Sequence, residues 1–171
     1  MVSMLGTGGT AAEGDSSERI IDGAERRGQL PPPSPAAGPA EPAFSSSDYE
    51  RLIVEGGDAR GRLVQVELFC GSVQTVATRS VDDPDPLIRA LEDEDGRVSG
   101  AECRWGPRGE DRREDFFLLL GGEHAETFAG APIVDDGFVR RRHLVAEVEW
   151  IGRSEELSLR TVGVLRGQAS R

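Results

Sequence analysis

The amino-acid sequence predicts a mainly β protein, with an antiparallel sheet folded as a sandwich or a partly open barrel and one or two short helices. Residues 62–78 and 143–165 alternate apolar and polar side chains, which is typical of half-buried strands. Residues 116–120 form a continuous apolar run bounded by glycines, which predicts a central strand covered on both faces. An α+β arrangement, with a helix packed on one sheet face, is the alternative.

The two alternating segments each predict a β-hairpin. In 62–78, Gly71 and Ser72 separate two apolar runs. Gly-Ser suits a two-residue II′ turn, because glycine takes positive φ at the first turn position. In 143–165, residues 152–156 are expected to connect the strands, since they combine glycine with polar side chains.

Two segments predict short helical structure. Ser47 and Glu50 fit the capping-box pattern, so a helical turn or a first strand is expected to follow through residues 52–54. Asp85 is a suitable N-cap and Pro86 suits the first helical position, which predicts a short helix within 82–94.

Composition divides the chain into an arm and a single domain. Residues 1–46 are rich in Gly, Ala and Pro, and we expect them to be a disordered arm. Residues 47–168 are expected to form one β-rich domain. The proline-rich stretch 31–42 is interpreted first as an extended spacer, and second as a ligand for an aromatic groove through Pro32 and Pro35.

The charge of the chain limits its expected partners. The net charge is −11 at neutral pH, so phosphate is repelled, and neither nucleic acid nor an anionic membrane surface is an expected partner. All 20 basic side chains are arginine, and lysine and asparagine are absent. A GC-rich genome explains this bias, and selection for bidentate arginine contacts is the alternative.

The two cysteines, Cys70 and Cys103, are expected to be free, buried thiols. Each lies on the apolar face of a predicted strand, and Cys103 shares its face with Ala101 and Trp105. The N-terminus lacks the features of a signal peptide, and no apolar stretch is long enough to span a membrane. We therefore expect an intracellular, cytoplasmic location.

No metal or cofactor is expected. The chain has two histidines, and no His or Cys pair shows the close spacing of a zinc site. Residues 91–102 share part of the register of a calcium-binding EF-hand loop, but Leu91 occupies the first ligand position. We interpret this segment as a helix end followed by an acidic turn at Asp95 and Gly96.

The candidate partner-binding residues are a basic run and two aromatic side chains: Arg140, Arg141, Arg142, Phe138 and Phe69. The arginine run is interpreted as an anionic-partner patch or, alternatively, as a solvated strand end paired with nearby acids such as Asp135 and Asp136. The two phenylalanines are interface residues or, alternatively, satellite core residues.

Two hypotheses for function follow. The first is a non-enzymatic protein-interaction or assembly module with a tethering arm, whose partner is another protein, acidic where it meets residues 140–142. The second is a small-ligand enzyme or binder built from scattered polar residues, namely His124, His143, Glu147, Glu149 and Asp135. A pocket that gathers a histidine and two carboxylates would favour the second. The sequence leaves the oligomeric state open.

Overall fold

The computed structural model describes residues 30–32, 38–108, 113–137 and 139–169. The expected disorder of residues 1–29 and 33–37 lies outside the described residues, as do Pro35 and Phe138. Among the residues that are described, no helix has both the length and the apolar character needed to cross a membrane.

Seven strands, three α-helices and two 3₁₀ helices make up the described fold. The strands are β1 (Glu41–Pro42), β2 (Leu63–Ala77), β3 (Arg97–Trp105), β4 (Glu114–Leu119), β5 (Ile133–Asp136), β6 (Val139–Ser154) and β7 (Arg160–Gln168). The α-helices are α1 (Ser46–Glu55), α2 (Pro86–Leu91) and α3 (Ala125–Ala129), and the 3₁₀ helices are Gly56–Ala59 and Gly122–His124.

Five strands close into a barrel in the order β2-β3-β4-β7-β6, because β2 also pairs with β6. All neighbours in the barrel are antiparallel except β4 and β7, which run parallel. The short strands β1 and β5 lie outside the ring, next to β2 and β6. The mainly β prediction is confirmed, in the form of a closed barrel. The OB fold is likewise a five-stranded Greek-key barrel.

Strand β4 is central and covered on both faces, as its unbroken apolar run predicts. Phe116 and Leu118 belong to the core inside the barrel, which includes Trp105 and Trp150. Phe117 and Leu119 belong to a second cluster on the opposite face. That cluster also contains Ile88 of helix α2, so the predicted short helix supplies the outer cover of the sheet.

The predicted hairpin over 62–78 is wrong, because these residues form the single long strand β2. Its first half pairs with β6 and its second half with β3. Between Cys70 and Val73 the register with β3 shifts by one residue, which marks a β-bulge. Gly71 does not have the positive φ that a II′ turn requires, so Gly-Ser serves a bulge here.

The expectation of free thiols is also wrong, since Cys70 and Cys103 form a disulfide. They face each other directly in the β2–β3 register, on the buried face of both strands. Disulfides are typical of oxidising compartments, so this bond does not support the expected cytoplasmic location.

The fold begins upstream of the expected boundary at residue 47. Ala43 is fully buried, and β1 pairs with β2 just before it. Helix α1 has its capping box at Ser45 and Asp48, two residues before the one predicted at Ser47 and Glu50. Both pairs fit the local pattern of a Ser followed three residues later by an acidic residue.

The predicted C-terminal hairpin is confirmed as β6 and β7. Its connection lies at residues 155–159, slightly later than expected, and contains two residues with positive φ, Ser158 and Leu159.

Candidate binding cleft

Two of the three arginines of the run 140–142 make side-chain contacts within the chain. Arg141 Nε lies 3.4 Å from a carboxylate oxygen of Asp136. Arg142 Nη1 donates a hydrogen bond of 2.6 Å to the carbonyl of Ala129, and its guanidinium lies over the Phe128 ring. Arg140 is exposed and lies opposite Asp135 in the backbone register of β5 and β6. Arg141 therefore matches the alternative of a strand end paired with a nearby acid, whereas Arg142 is held by a carbonyl and a ring of helix α3.

Phe69 is fully buried, although it points away from the barrel core. Its ring stacks on His143 with centroids 4.8 Å apart, and the guanidinium of Arg113 lies 4.8 Å from its centroid. His143 in turn contacts Glu67 at 2.7 Å. Phe69 is therefore the centre of a small satellite cluster, and a partner would not reach it in this conformation.

Pro32, the described residue of the candidate proline pair, is exposed.

The polar residues of the small-ligand hypothesis each lie in a different setting. His143 contacts Glu67, whereas His124 Nε2 lies 3.5 Å from a carboxylate oxygen of its exposed neighbour Glu123. Glu149 is buried and accepts a hydrogen bond from Arg166, so its role is an internal ion pair. Neither of the two cavities described below is lined by any of the candidate histidines or carboxylates.

The acidic turn expected at Asp95 and Gly96 is present. Asp93 Oδ1 accepts hydrogen bonds from the backbone N–H groups of Asp95 and Arg97, which closes the turn. Within the described ranges, no group of three or more His, Cys, Asp or Glu side chains is placed to hold a metal ion.

A cleft of about 530 Å³ lies where the β2–β3 connection meets the β6–β7 connection. We call it the acidic cleft. Its lining is Arg60, Ser80, Val81, Asp82, Asp83, Asp85, Ile151, Arg153, Ser154, Glu155 and Glu156. Five of these residues are carboxylates and two are arginines, so the acidic cleft carries an excess of negative charge.

Asp85 connects the cleft wall to helix α2. Its side chain caps the helix by accepting hydrogen bonds from the backbone N–H groups of Leu87 at 2.7 Å and Ile88 at 3.3 Å. The same carboxylate is ion-paired with Arg60, whose side chain is half exposed at the mouth of the cleft. Asp85 itself is buried. The Asp-Pro pair that predicted a helix start thus also places a negative charge in the cleft wall.

Glu156 is the second buried carboxylate of the wall. Its Oε2 accepts a 3.0 Å hydrogen bond from the backbone N–H of Asp85. Burial raises the pKa of the Glu156 carboxyl above its ordinary value, and repulsion from Asp85 and Glu92 raises this pKa further. By contrast, Asp82, Asp83 and Glu155 are exposed, so they are the groups that a ligand meets first.

Sequence reasoning did not identify this site, because its two walls are far apart along the chain. The hydrogen bond between Glu156 and Asp85 joins positions 71 residues apart. The available signal was the repetition of short acidic runs, 82–85 and 155–156, each next to a predicted element end.

A second cavity of about 240 Å³ adjoins the acidic cleft, and we call it the Trp150 groove. The two cavities share Arg60, Ile151 and Arg153 in their lining. The groove has an apolar wall on helix α1, made of Leu52 and Ile53. The two cavities are therefore neighbours at this end of the barrel.

Comparison with known proteins found no match to a protein-family model, to a curated protein or to a solved structure.

Proposed function

We propose that this chain is a non-enzymatic protein-binding module whose acidic cleft takes a basic segment of a partner protein. The observation that carries the proposal is the charge of the cleft lining, five carboxylates against two arginines. One of those arginines, Arg60, is already paired with Asp85. Arginine or lysine side chains are the protein groups that complement such a surface.

The position of the cleft supports a binding role. OB barrels bind ligands at the connections between their first and second strands and between their fourth and fifth. Counted along this barrel, those are the β2–β3 and β6–β7 connections, which are the two walls of the acidic cleft. This support is a likeness of architecture, which by itself does not fix the ligand.

The charge of the cleft supports a basic peptide as the ligand rather than an oligonucleotide. Exposed Asp82, Asp83 and Glu155 repel the phosphates of an oligonucleotide. A basic peptide segment is attracted by the same side chains, and its attraction weakens as salt concentration rises. The arginine run at 140–142 supports an acidic partner less well, because Arg141 and Arg142 are used within the chain.

The buried carboxyl of Glu156 is consistent with a cationic ligand. Its surroundings raise its pKa and so oppose its ionisation, and such perturbed groups in clefts are typical of functional sites. A guanidinium or ammonium group placed in the cleft would favour the ionised form. Ionisation of Glu156 and binding of the basic segment should therefore promote each other.

The test is the binding of a fluorescently labelled basic probe, acetyl-Arg-Arg-Leu-Arg-Arg-amide, followed by fluorescence anisotropy. The variant Asp82→Asn with Asp83→Asn is expected to weaken binding by about five-fold, since each exposed charge contributes a fraction of a kcal/mol. The matched control is Asp95→Asn with Glu126→Gln, which removes the same charge from exposed positions outside the cleft.

Two results would contradict the proposal. One is an equal loss of affinity in the cleft variant and in the control variant, which would show that only net charge matters. The other is saturable binding of an oligoglutamate peptide in preference to the basic probe.

A further inference from the structure

The second half of strand β2 has a strand neighbour on one side only. The pairing of β2 with β6 ends at Cys70, and residues 73–77 pair with β3. Among the residues that the structure describes, no strand lies along the other side of residues 73–77. We call this segment the open edge, because its free backbone groups can form a ladder with a further strand.

Alternate residues of the open edge direct their backbone groups away from β3. Thr78 N–H donates a hydrogen bond to the carbonyl of Gly96, just before β3. The carbonyl of Ser99, which lies opposite Thr75, accepts from Leu120 N–H on the far side of β3. Successive residues of a strand turn their backbone groups to opposite sides. The residues whose N–H and C=O groups point out from the open edge are therefore Val73, Thr75 and Ala77.

The open edge is accessible to another chain. The side chains of residues 72–75 and of Ala77 are exposed, and Val73 is 51% exposed. These exposed side chains lie on both faces of the strand, because neighbouring residues of a strand point to opposite faces. A strand that approaches in the plane of the sheet therefore meets the open edge at the surface of the molecule.

The open edge also lacks the residues that usually prevent pairing. Edge strands of soluble proteins commonly carry charged side chains or proline, which stop another chain from extending the sheet. The two strands at the ends of the described sheet follow this rule, since β1 ends in proline and β5 ends in two aspartates. Residues 71–77 contain no charged residue and no proline, although 30% of the chain is charged.

The open edge is complementary to a second copy of itself. When two copies run antiparallel about a two-fold axis at Thr75, Val73 of each copy lies opposite Ala77 of the other. These are the residues whose backbone groups point outward, so each opposed pair can exchange two backbone hydrogen bonds. The two Thr75 side chains form a favourable cross-strand pair. Each chain has a net charge of −11, yet no charged side chains meet along these segments.

We propose that the open edge pairs with the open edge of a second copy, so that two barrels share one continuous sheet. A two-fold interface uses the same edge of both copies and therefore closes at a dimer. No residue of the open edge lines the acidic cleft. The inference is thus independent of the proposed function, and the dimer carries two acidic clefts.

Sedimentation velocity of the full chain at a series of concentrations tests the proposal, and the dimer fraction is expected to rise with concentration. Thr75→Pro is expected to weaken dimerisation by about ten-fold or more, because it removes the central outward N–H. It spares the ladder with β3, since that N–H does not point to β3. Thr75→Lys is expected to weaken dimerisation by about five-fold, because like charges then lie directly opposite each other.

Ser99→Lys is the matched control for the added charge. Ser99 is exposed and lies opposite Thr75 on β3, one strand further from the two-fold axis. This variant should dimerise as the unaltered protein does.

Hydrogen exchange of the unaltered protein locates the interface. Raising the protein concentration is expected to slow exchange of the amide protons of Val73, Thr75 and Ala77. The amide protons of Gln74 and Val76 should change little, because they point to β3. This measurement remains decisive even if a variant at Thr75 fails to fold.

Three results would overturn the inference. The first is a monomer at every concentration, which would leave the open edge to an extended segment of a different protein. The second is a dimer that both Thr75→Pro and Thr75→Lys leave intact. The third is dimerisation that does not slow exchange at the three outward amide protons.

Discussion

The carboxylate of Glu156 accepts a hydrogen bond from the backbone N–H of Asp85, and this contact joins the two loops that form the acidic cleft. Asp85 in turn caps helix α2, so the position of that helix and the shape of the cleft depend on one another. A ligand that alters the charge state of Glu156 would therefore act on the hydrogen bond that joins these two loops of the barrel.

Glu156→Gln is expected to change the pH dependence of stability. The pKa of Glu156 is raised in the fold above its ordinary value of 4.5, so the stabilisation linked to its proton is complete below that value. This stabilisation is lost as the pH rises through the pKa that Glu156 has in the folded protein. The variant keeps an oxygen acceptor for Asp85 N–H and removes the charge. Between acidic and neutral pH, its free energy of unfolding should therefore fall less than that of the unaltered protein.

Urea unfolding across this pH range measures the effect. Glu155→Gln is the control, because Glu155 is an exposed neighbour. Identical pH profiles for the Glu156 variant and the unaltered protein would contradict a raised pKa of Glu156 in the folded protein.

Ser45→Ala is expected to lower the free energy of unfolding by about 1 kcal/mol, since it removes the N-cap of helix α1.

The same variant should change the acid dependence of stability. The pKa of Asp48 is lowered chiefly by its hydrogen bond with the Ser45 side chain. The stabilisation linked to Asp48 is therefore present above its ordinary value of 3.8 and lost as pH falls, and the variant should lose part of this acid dependence. Ser47→Ala, at the cap predicted from sequence, should have little effect. A larger loss from Ser47→Ala would refute the observed cap.

Reduction of the Cys70–Cys103 bond is expected to lower the free energy of unfolding by about 2–4 kcal/mol, because the cross-link restricts the unfolded chain. Urea unfolding with and without a reductant measures this difference. The variant Cys70→Ala with Cys103→Ala should be insensitive to the reductant. Two titratable thiols in the unreduced, denatured protein would show that the bond is absent.

Arg166→Met is expected to destabilise the fold by about 3–5 kcal/mol, because it leaves the buried carboxylate of Glu149 without its partner. The double variant Arg166→Met with Glu149→Gln should recover much of the loss. Thermal unfolding of the single and double variants forms the cycle. A loss that is the same with or without Glu149→Gln would rule out the ion pair as the cause.

Local patterns in the sequence predict the strands better than they predict how the strands meet. The run 116–120 predicts β4 correctly because both faces of that strand are buried in the same chain. The segment 62–78 alternates as a strand should, but its Gly71-Ser72 pair suits both a turn and a bulge. The choice is decided by pairing of β2 with β3 and β6, which lies outside any local window.

The same limit applies to the candidate site. Asp85 and Pro86 correctly predict the start of helix α2, yet nothing near them indicates that Glu156 lies against the cap. The Cys70–Cys103 pairing is likewise a matter of strand register, which their separation of 33 positions does not reveal. For both pairs, the contact depends on how the barrel closes, which the residues near each partner in the sequence do not indicate.

The parallel pairing of β4 with β7 has a consequence for synthesis of the chain. β7 follows the other four barrel strands in the sequence, and it lies between β4 and β6. Until it has left the ribosome, the outward-facing Phe117 and Leu119 lack their cover from Val162 and Val164, which belong to the same cluster. A nascent chain that stops before residue 160 therefore presents two unpaired strand edges and an apolar strip, which is the kind of surface that chaperones bind.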